Sequence, residues 1–430
     1  MKIDYFIPNT PSKAFWLSFF LCCLGCYAIL FIVSPITGLS RNFGEGNDGY
    51  IQLACNLVAG NGYVFEKGGP PVFNRPPMYP LFLVPVALFP EKLQRYVIVI
   101  PQSILVGFIG MMIFKIARQL YNEKIALISL LLFLINPWVY WNAKNPMTAI
   151  LQTFLYIVFV YLAGNELFNK TNFSQLKSAI FIAVTGAALV LSHGAMLPVI
   201  FIFMFINFVI SLKRKKRLLT PVLAAIIAVC LISPWTYRNW VVFHKFIPVA
   251  GGGGLAYFNG NVHWNFIEDQ PQQKSETYID ASLRVIGIPG TERTVAHWKG
   301  FKNIENEEIA NAKMAEDVKA RPILFIKKTI LNAIEYYFPM FTYPFLAVKV
   351  KSVEQIALTV FHFALWCCAA FGFYFYRRSA LQLLAVIMFY AVWYFPFATH
   401  IGHSLYTLGT IPFLSILAAV GVSRLPRFFS

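Results

Sequence analysis

Ten long, almost uninterrupted apolar stretches leave this chain few ways to fold. They run near Ala14 to Val33, Tyr96 to Ile116, Ile125 to Val139, Met147 to Ala163, Lys177 to Leu191 and Leu197 to Leu212. Four more lie near Leu219 to Pro234, Val353 to Tyr376, Leu381 to Phe397 and Leu405 to Val422. A helix of about 20 apolar residues crosses the ~30 Å hydrocarbon core of a bilayer. Only a structure that satisfies its own backbone hydrogen bonds survives there, and for separate stretches of this length that structure is the helix. Charged residues make up 13% of the 430 and hydrophobic ones 58%, whereas soluble domains are about 25% charged. The expectation is an all-α polytopic membrane protein with about ten transmembrane helices. The first stretch is too long for a signal sequence and no small-residue cleavage site follows it, so it should remain as a helix.

Lysine and arginine in short loops set the orientation of such a chain. Lys2 and Lys13 precede the first stretch. After that every second connection is basic: Lys115, Arg118 and Lys124; Lys170 and Lys177; Lys213 to Arg217; Arg377 and Arg378; Arg424 and Arg427. Ten spans with both termini in the cytoplasm satisfy all of these together. The formal charge of +17 is then mainly a property of the cytoplasmic face. The run Lys213 to Arg217 reads as a topology determinant beside anionic lipid, not as a nucleic-acid patch.

Two large connections are left outside, residues 36–96 and residues 238–321. The second holds ten acidic and ten basic residues, a balance that suits a small soluble subdomain. The expected organisation is an N-terminal membrane module over 1–237 with a catalytic first outer loop. A non-cytoplasmic α or α/β subdomain over 238–322 and a C-terminal membrane module over 323–430 follow. Six of the seven cysteines fall in the spans and Cys55 stands alone outside, so no disulfide framework or metal-ligand spacing appears. The spans hold essentially no Asp or Glu, which counts against ion-coupled transport. The absence of GxxxxGK[ST] counts against a nucleotide-driven pump. Chemistry is therefore expected at the outer face.

The first outer loop has a helical pattern at Tyr50, Leu53, Ala54, Leu57 and Val58. Asp48 stands just ahead of it, as an N-cap or as a reactive carboxylate. The stretch Arg75-Pro76-Pro77-Met78-Tyr79-Pro80 is stiff, and could simply lead into the next apolar segment. Asp48, Tyr50-x-x-x-Ala54-x-x-Leu57-x-x-Gly60-x-Gly62-Tyr63 and Arg75 to Pro80 together resemble the first outer loop of GT-C glycosyltransferases. The nearest group holds the ArnT-like aminoarabinose transferases and the protein O-mannosyltransferases (PMT). Pro234-Trp235-x-x-Arg238-Asn239-Trp240, with Phe246 to Val249 and Gly260-Asn261, resembles that family's passage from a span into its outer domain. The chain departs from the pattern at several positions. Gly46-Asn47 stand where adjacent acids are usual, Thr148-Ala149 where Thr-Glu is usual, His193 in place of Arg, and Leu405-Tyr406 in place of Arg-Tyr.

The resemblance implies a bacterial inner-membrane enzyme of the GT-C fold. It would move a hexosyl or pentosyl group from a polyprenyl-phosphate carrier to an acceptor on the periplasmic or extracellular face. The acceptor class stays open among lipid A, glycan, another envelope polymer and protein. Asp48, with Glu45 as the alternative, would be the base that takes the acceptor proton. Arg75 and Arg238 would hold the lipid phosphate, joined by Tyr79 and His193 as donor-binding residues. Arg238 has the rival reading of an interfacial arginine reaching for headgroups. His193, His400 and His403 have the rival reading of packing groups. The run Gly251 to Gly254 reads as a flexible link, or as a place of close backbone approach. No cofactor is implied, and a divalent metal is left open. Two other functions fit the same pattern: a lipid-linked oligosaccharide polymerase or ligase, and a flippase for a lipid or sugar.

Overall fold

A computed structural model describes residues 13–28, 30–31, 49–168, 170–215, 217–263, 287, 304–338, 353–395 and 407–424. Among them there is no β-strand, only one antiparallel bridge between Val64 and Pro71. The helices are α1 (Lys13–Ala28), α2 (Tyr50–Val58), α3 (Met78–Ala87), α4 (Glu91–Val97), α5 (Val99–Leu120) and α6 (Glu123–Leu134). Next come α7 (Pro137–Lys144), α8 (Ala149–Leu167), α9 (Gln175–Ser192), α10 (Met196–Arg214) and α11 (Leu219–Phe243). The outer segment contributes α12 (Gly253–His263) and α13 (Ile304–Ala320), and α14 (Pro322–Tyr337) follows it. α15 (Val353–Phe375), α16 (Arg377–Tyr394) and α17 (Ile411–Val422) complete the chain.

Each of the ten apolar stretches is helical over most of its described length. Among the described residues six helices are long and apolar enough to cross a bilayer. A seventh candidate is the pair α6 and α7, bent by 55°. The apolar stretch from Ile125 to Val139 reads as one span, but the helix breaks at Asn136-Pro137. Pro137 starts α7, where its missing N–H costs nothing. The Asn136 side chain accepts from the Trp138 N–H at 3.0 Å. Its amide also meets the buried His362 Nε2 at 3.3 Å, and His362 Nδ1 lies 3.0 Å from the Leu358 carbonyl. The Asn136 side chain at the break is thus paired inside the bundle, as hydrocarbon favours.

α5 is the central helix and packs on α1, α6 and α8; α9 packs on α8 and α11. Lipid offers no hydrophobic drive between helices, so close backbone approach has to supply the packing. α9 buries Ala179, Ala183 and Ala187 in successive turns, and α11 buries Ala224 and Ala228. At the crossing of α15 and α17, a Cβ on Gly372 would lie 2.5 Å from the Leu417 carbonyl oxygen. A Cβ on Gly421 would collide with the carbonyl of Cys368.

The basic run after α10 has a second role. Arg217 grips the buried carboxylate of Glu166 at 2.5 and 2.9 Å and bonds the Phe173 carbonyl and the Ser178 hydroxyl. It ties together two connections at the basic end of the bundle. The planar fork of arginine suits this task better than a lysine would.

The first outer connection is also more structured than its polar flanks suggest. α3 is apolar but only ten residues long, about 15 Å, half the depth of the hydrocarbon core. It packs on α2 and α9. The following span begins at Glu91, five residues before the expected Tyr96. α11 runs on through Arg238 to Phe243 and ends at His244, whose φ is 53°. Position 238 therefore lies inside a helix. The described parts of the outer segment are helical apart from residues 244–252, Gly287 and Arg321, and a small core of Phe73, Tyr257, Phe258 and Ala310 joins its helices to the first outer loop.

Candidate active site

The extended stretch Val72 to Pro76 can form no helical hydrogen bonds, because Pro76 and Pro77 forbid them. Its carbonyls must find other donors, and all five do. Val72 accepts from Arg238 Nη1 at 2.9 Å and Phe73 from the Gly251 N–H at 3.1 Å. Asn74 accepts from Arg75 Nη1 at 3.0 Å. The Tyr63 hydroxyl donates to both Arg75, at 3.0 Å, and Pro76, at 2.9 Å. Three distant parts of the chain, α11, the glycine run before α12 and the Gly62-Tyr63 turn, thus hold one short loop.

Arg238 is built into this loop. Its guanidinium carbon lies 5.5 Å from the Tyr63 ring centre, 4.9 Å from that of Trp235 and 5.1 Å from that of Phe243. Aromatic faces attract such a cation, more strongly when water is excluded. Both of its protein hydrogen bonds leave Nη1, to Val72 and to Asn239 Oδ1. Nε and Nη2 find no acceptor among the described residues. An arginine merely reaching for headgroups would not be caged in this way.

Arg75 sits over the Tyr50 ring at 5.6 Å. Tyr50 meets the Tyr79 ring edge-on at 5.1 Å. Tyr79 itself is fully buried and its hydroxyl points to Gln102 Oε1 at 3.5 Å. Gln102 Nε2 donates to the carbonyls of Ala143 and Asn145 at 3.2 and 2.8 Å. Tyr79, expected among the donor-binding residues, is thus placed behind Tyr50 in the packing. Lys144, in the segment that Gln102 holds, is buried, with its ammonium 4.2 Å from the Trp141 ring centre.

His193 follows the last residue of α9, and its Nδ1 accepts from the Ala195 N–H at 3.3 Å. Burial first, and then the nearby Arg75 guanidinium, pull its pKa down to about 4. It is therefore a neutral imidazole with Nε2 carrying the proton. Burial pushes the Tyr63 phenol well above its usual range, Tyr50 adds to this, and Arg238 and Arg75 both oppose it. One phenol thus feels both guanidinium groups.

Asp48 and Glu45 lie outside the described residues, as do His400 and His403. The N-cap position of α2 is Gly49, with φ 82° and no side-chain cap bond. Glycine adopts that left-handed conformation without strain. The capping role considered for Asp48 therefore falls one residue away from it. Among the described residues no group of three or more His, Cys, Asp or Glu side chains could hold a metal.

The glycine run is a place of close approach. A Cβ on Gly251 would lie 2.8 Å from the Phe73 ring, and one on Gly254 would lie 2.5 Å from the carbonyl carbon of Ala310. Sequence reasoning left this run between a flexible link and a close approach, because the partners, Phe73 and α13, are distant in the chain. It also overlooked Tyr63, Gln102, Lys144 and Glu307. Tyr63 stood in the loop motif without an assigned role, and Lys144 is a lysine in an apolar neighbourhood outside the basic alternation.

Residues 74–237 match the family described as dolichyl-phosphate-mannose-protein mannosyltransferase. The match begins at the Asn74-Arg75 loop and ends one residue before Arg238. No curated protein matches the chain. Two similar solved structures are crystal structures of ArnT from Cupriavidus metallidurans. The one bound to undecaprenyl phosphate is 16% identical, with 89% of this chain and 75% of that one covered and a TM-score of 0.38. The apo form is 14% identical, with 93% and 79% covered and a TM-score of 0.36. The family match thus covers residues 74–237, less than half of the chain, and that part is similar to a dolichyl-phosphate-mannose-protein mannosyltransferase.

Proposed function

We propose that the protein transfers a sugar from a polyprenyl-phosphate carrier to an acceptor hydroxyl at the outer face of the membrane. The observation that carries this reading is the convergence of Arg75 and Arg238 on one rigid loop, joined through Tyr63. Two guanidinium groups beside short apolar helices suit a phosphate that arrives within the bilayer on a lipid tail. The name of the matching family, a mannosyltransferase using dolichyl phosphate mannose, points to the same donor class.

The acceptor oxygen attacks the anomeric carbon while the bond from that carbon to the phosphate oxygen breaks. The proton goes to a carboxylate, Asp48 with Glu45 as the alternative. The carrier leaves as a phosphate monoester whose growing charge Arg75 and Arg238 stabilise. Attack opposite the phosphate inverts the anomeric centre. His193, being neutral, contributes a hydrogen bond from Nε2 and no charge. Tyr79 supports Tyr50 beneath Arg75. The outer segment over 238–322 covers the site from the non-cytoplasmic side, with both termini in the cytoplasm and the protein in a bacterial inner membrane. Lipid A, a glycan, another envelope polymer and a protein are the acceptor classes this arrangement serves.

The test uses purified protein, a polyprenyl-phosphate monosaccharide and envelope lipid acceptors, and follows free polyprenyl phosphate. Acceptor-dependent release is expected. Release only with a lipid-linked oligosaccharide donor would indicate a polymerase or ligase. No release, with movement of the carrier across vesicles, would indicate a flippase and overturn the proposal.

A further inference from the structure

Glu307 is the buried carboxylate of α13. Its Oε1 accepts from the Gly252 N–H at 2.6 Å and from Asn311 Nδ2 at 2.9 Å. Its Oε2 is buried with no hydrogen-bond partner among the described residues. Burying a carboxylate in this way is costly unless the bonds it makes are needed. Lys245 pairs with the neighbouring Glu308 at 2.6 Å, not with Glu307. Glu307 is therefore held by neutral donors, one of them a backbone N–H in the glycine run.

That N–H sits one step from the site. The carboxyl carbon of Glu307 lies 3.3 Å from where a Cβ on Gly251 would stand, and Gly251 donates its own N–H to the Phe73 carbonyl. The Phe73 ring packs against Gly251 on one side and edge-on against Phe243, at 5.5 Å, on the other. Phe243 is one of the three rings around Arg238. Phe73 is followed by Asn74 and Arg75. A single side chain of the outer segment is thus connected, through two glycines and one phenylalanine, to both guanidinium groups.

We infer that Glu307 is a positioning residue that fastens the outer segment to the Arg75 loop and so fixes Arg75 and Arg238 relative to each other. Its value for donor binding rests on the function proposed above; the mechanical connection does not. Gly251 and Gly254 are required because any side chain there would lift the run off Phe73 or α13. Burial raises the Glu307 pKa, against the lowering effect of the bonds from Gly252, Asn311 and Gly253.

The experiment compares wild type with Glu307→Ala, Glu307→Asp and Glu307→Gln, all purified in detergent. Hydrogen exchange is read at residues 249–253 and 72–75, and donor KM and kcat are read with a polyprenyl-phosphate monosaccharide. Glu307→Gln keeps an oxygen for Gly252 and Asn311, so its exchange should stay within about twofold of wild type. Glu307→Ala should raise exchange in both segments about tenfold and raise donor KM about tenfold, with kcat within about threefold. Glu307→Asp, one methylene short, should fall between, and it carries the comparison should the alanine variant fail to fold. Unchanged exchange at 72–75 in the alanine and aspartate variants would overturn the inference. So would a glutamine variant as disturbed as the alanine one, or raised exchange with an unchanged donor KM. A wild-type protein that releases no polyprenyl phosphate would defeat the functional reading, while the exchange data would still decide the connection.

Discussion

The Tyr63 hydroxyl donates to the carbonyl of Arg75 at 3.0 Å while Arg238 lies over the ring of the same tyrosine. A phenol in this position aligns the backbone under one guanidinium and supplies an apolar face to the other. Tyr63→Phe keeps the ring and removes the bond to Arg75 and Pro76. It should cost about 1–2 kcal/mol of stability and raise donor KM more than it lowers kcat. Thermal unfolding in detergent and steady-state kinetics check both parts.

Arg75→Lys and Arg238→Lys keep the charge but lose the planar fork. Each should raise donor KM about tenfold, and the corresponding alanine variants should raise it further. At position 238 a lysine also loses the guanidinium's contacts with the Trp235 and Phe243 rings, so its unfolding temperature should fall. Kinetics equal to wild type in both lysine variants would show that a point charge suffices.

Asp48→Asn should lower kcat by at least about 10²-fold with donor KM little changed, as expected for loss of a general base. If Glu45 is the base instead, Glu45→Gln will show that loss and Asp48→Asn will not. Topology and expression of each variant should be confirmed by reporter fusions before the rates are compared.

His193 predicts a pH dependence. Its pKa falls from 6.5 to about 4 in the folded protein. Between those values the unfolded chain binds more protons than the folded one, so stability rises with pH across the window and is lost as pH falls through it. The slope from this residue is at most about 1.4 kcal/mol per pH unit. His193→Asn should flatten the change in unfolding temperature between about pH 4.5 and about pH 6.5, where this titration acts.

The all-helical membrane architecture was legible because apolar length decides it: among the described residues six helices are long and apolar enough to cross a bilayer, with one bent pair as a seventh candidate. The break at Asn136-Pro137 was not legible, because its hydrogen-bond partner, His362, lies on a helix far along the chain. In the site, Arg75 and Arg238 stood out as arginines beside prolines and aromatics at an outer boundary. Their connection did not, since it runs through carbonyls of Val72 and Phe73 and a tyrosine in a different turn. The part played by Gly251 was hidden for a related reason. A glycine that permits flexibility and one that permits contact look alike until the partner, here Phe73, is known. Glu307 was one of ten acids in a balanced segment, and among the described ones burial sets it apart.

The most direct measurement is the binding of polyprenyl phosphate itself to the purified protein and to its Arg75→Ala and Arg238→Ala variants. Binding by wild type that weakens about 30-fold or more in each variant is the expected result, since truncating one partner of a desolvated charge pair costs about 2–5 kcal/mol. Equal affinity in all three proteins, or no binding by wild type, would contradict the claim that these two arginines form the lipid-phosphate site.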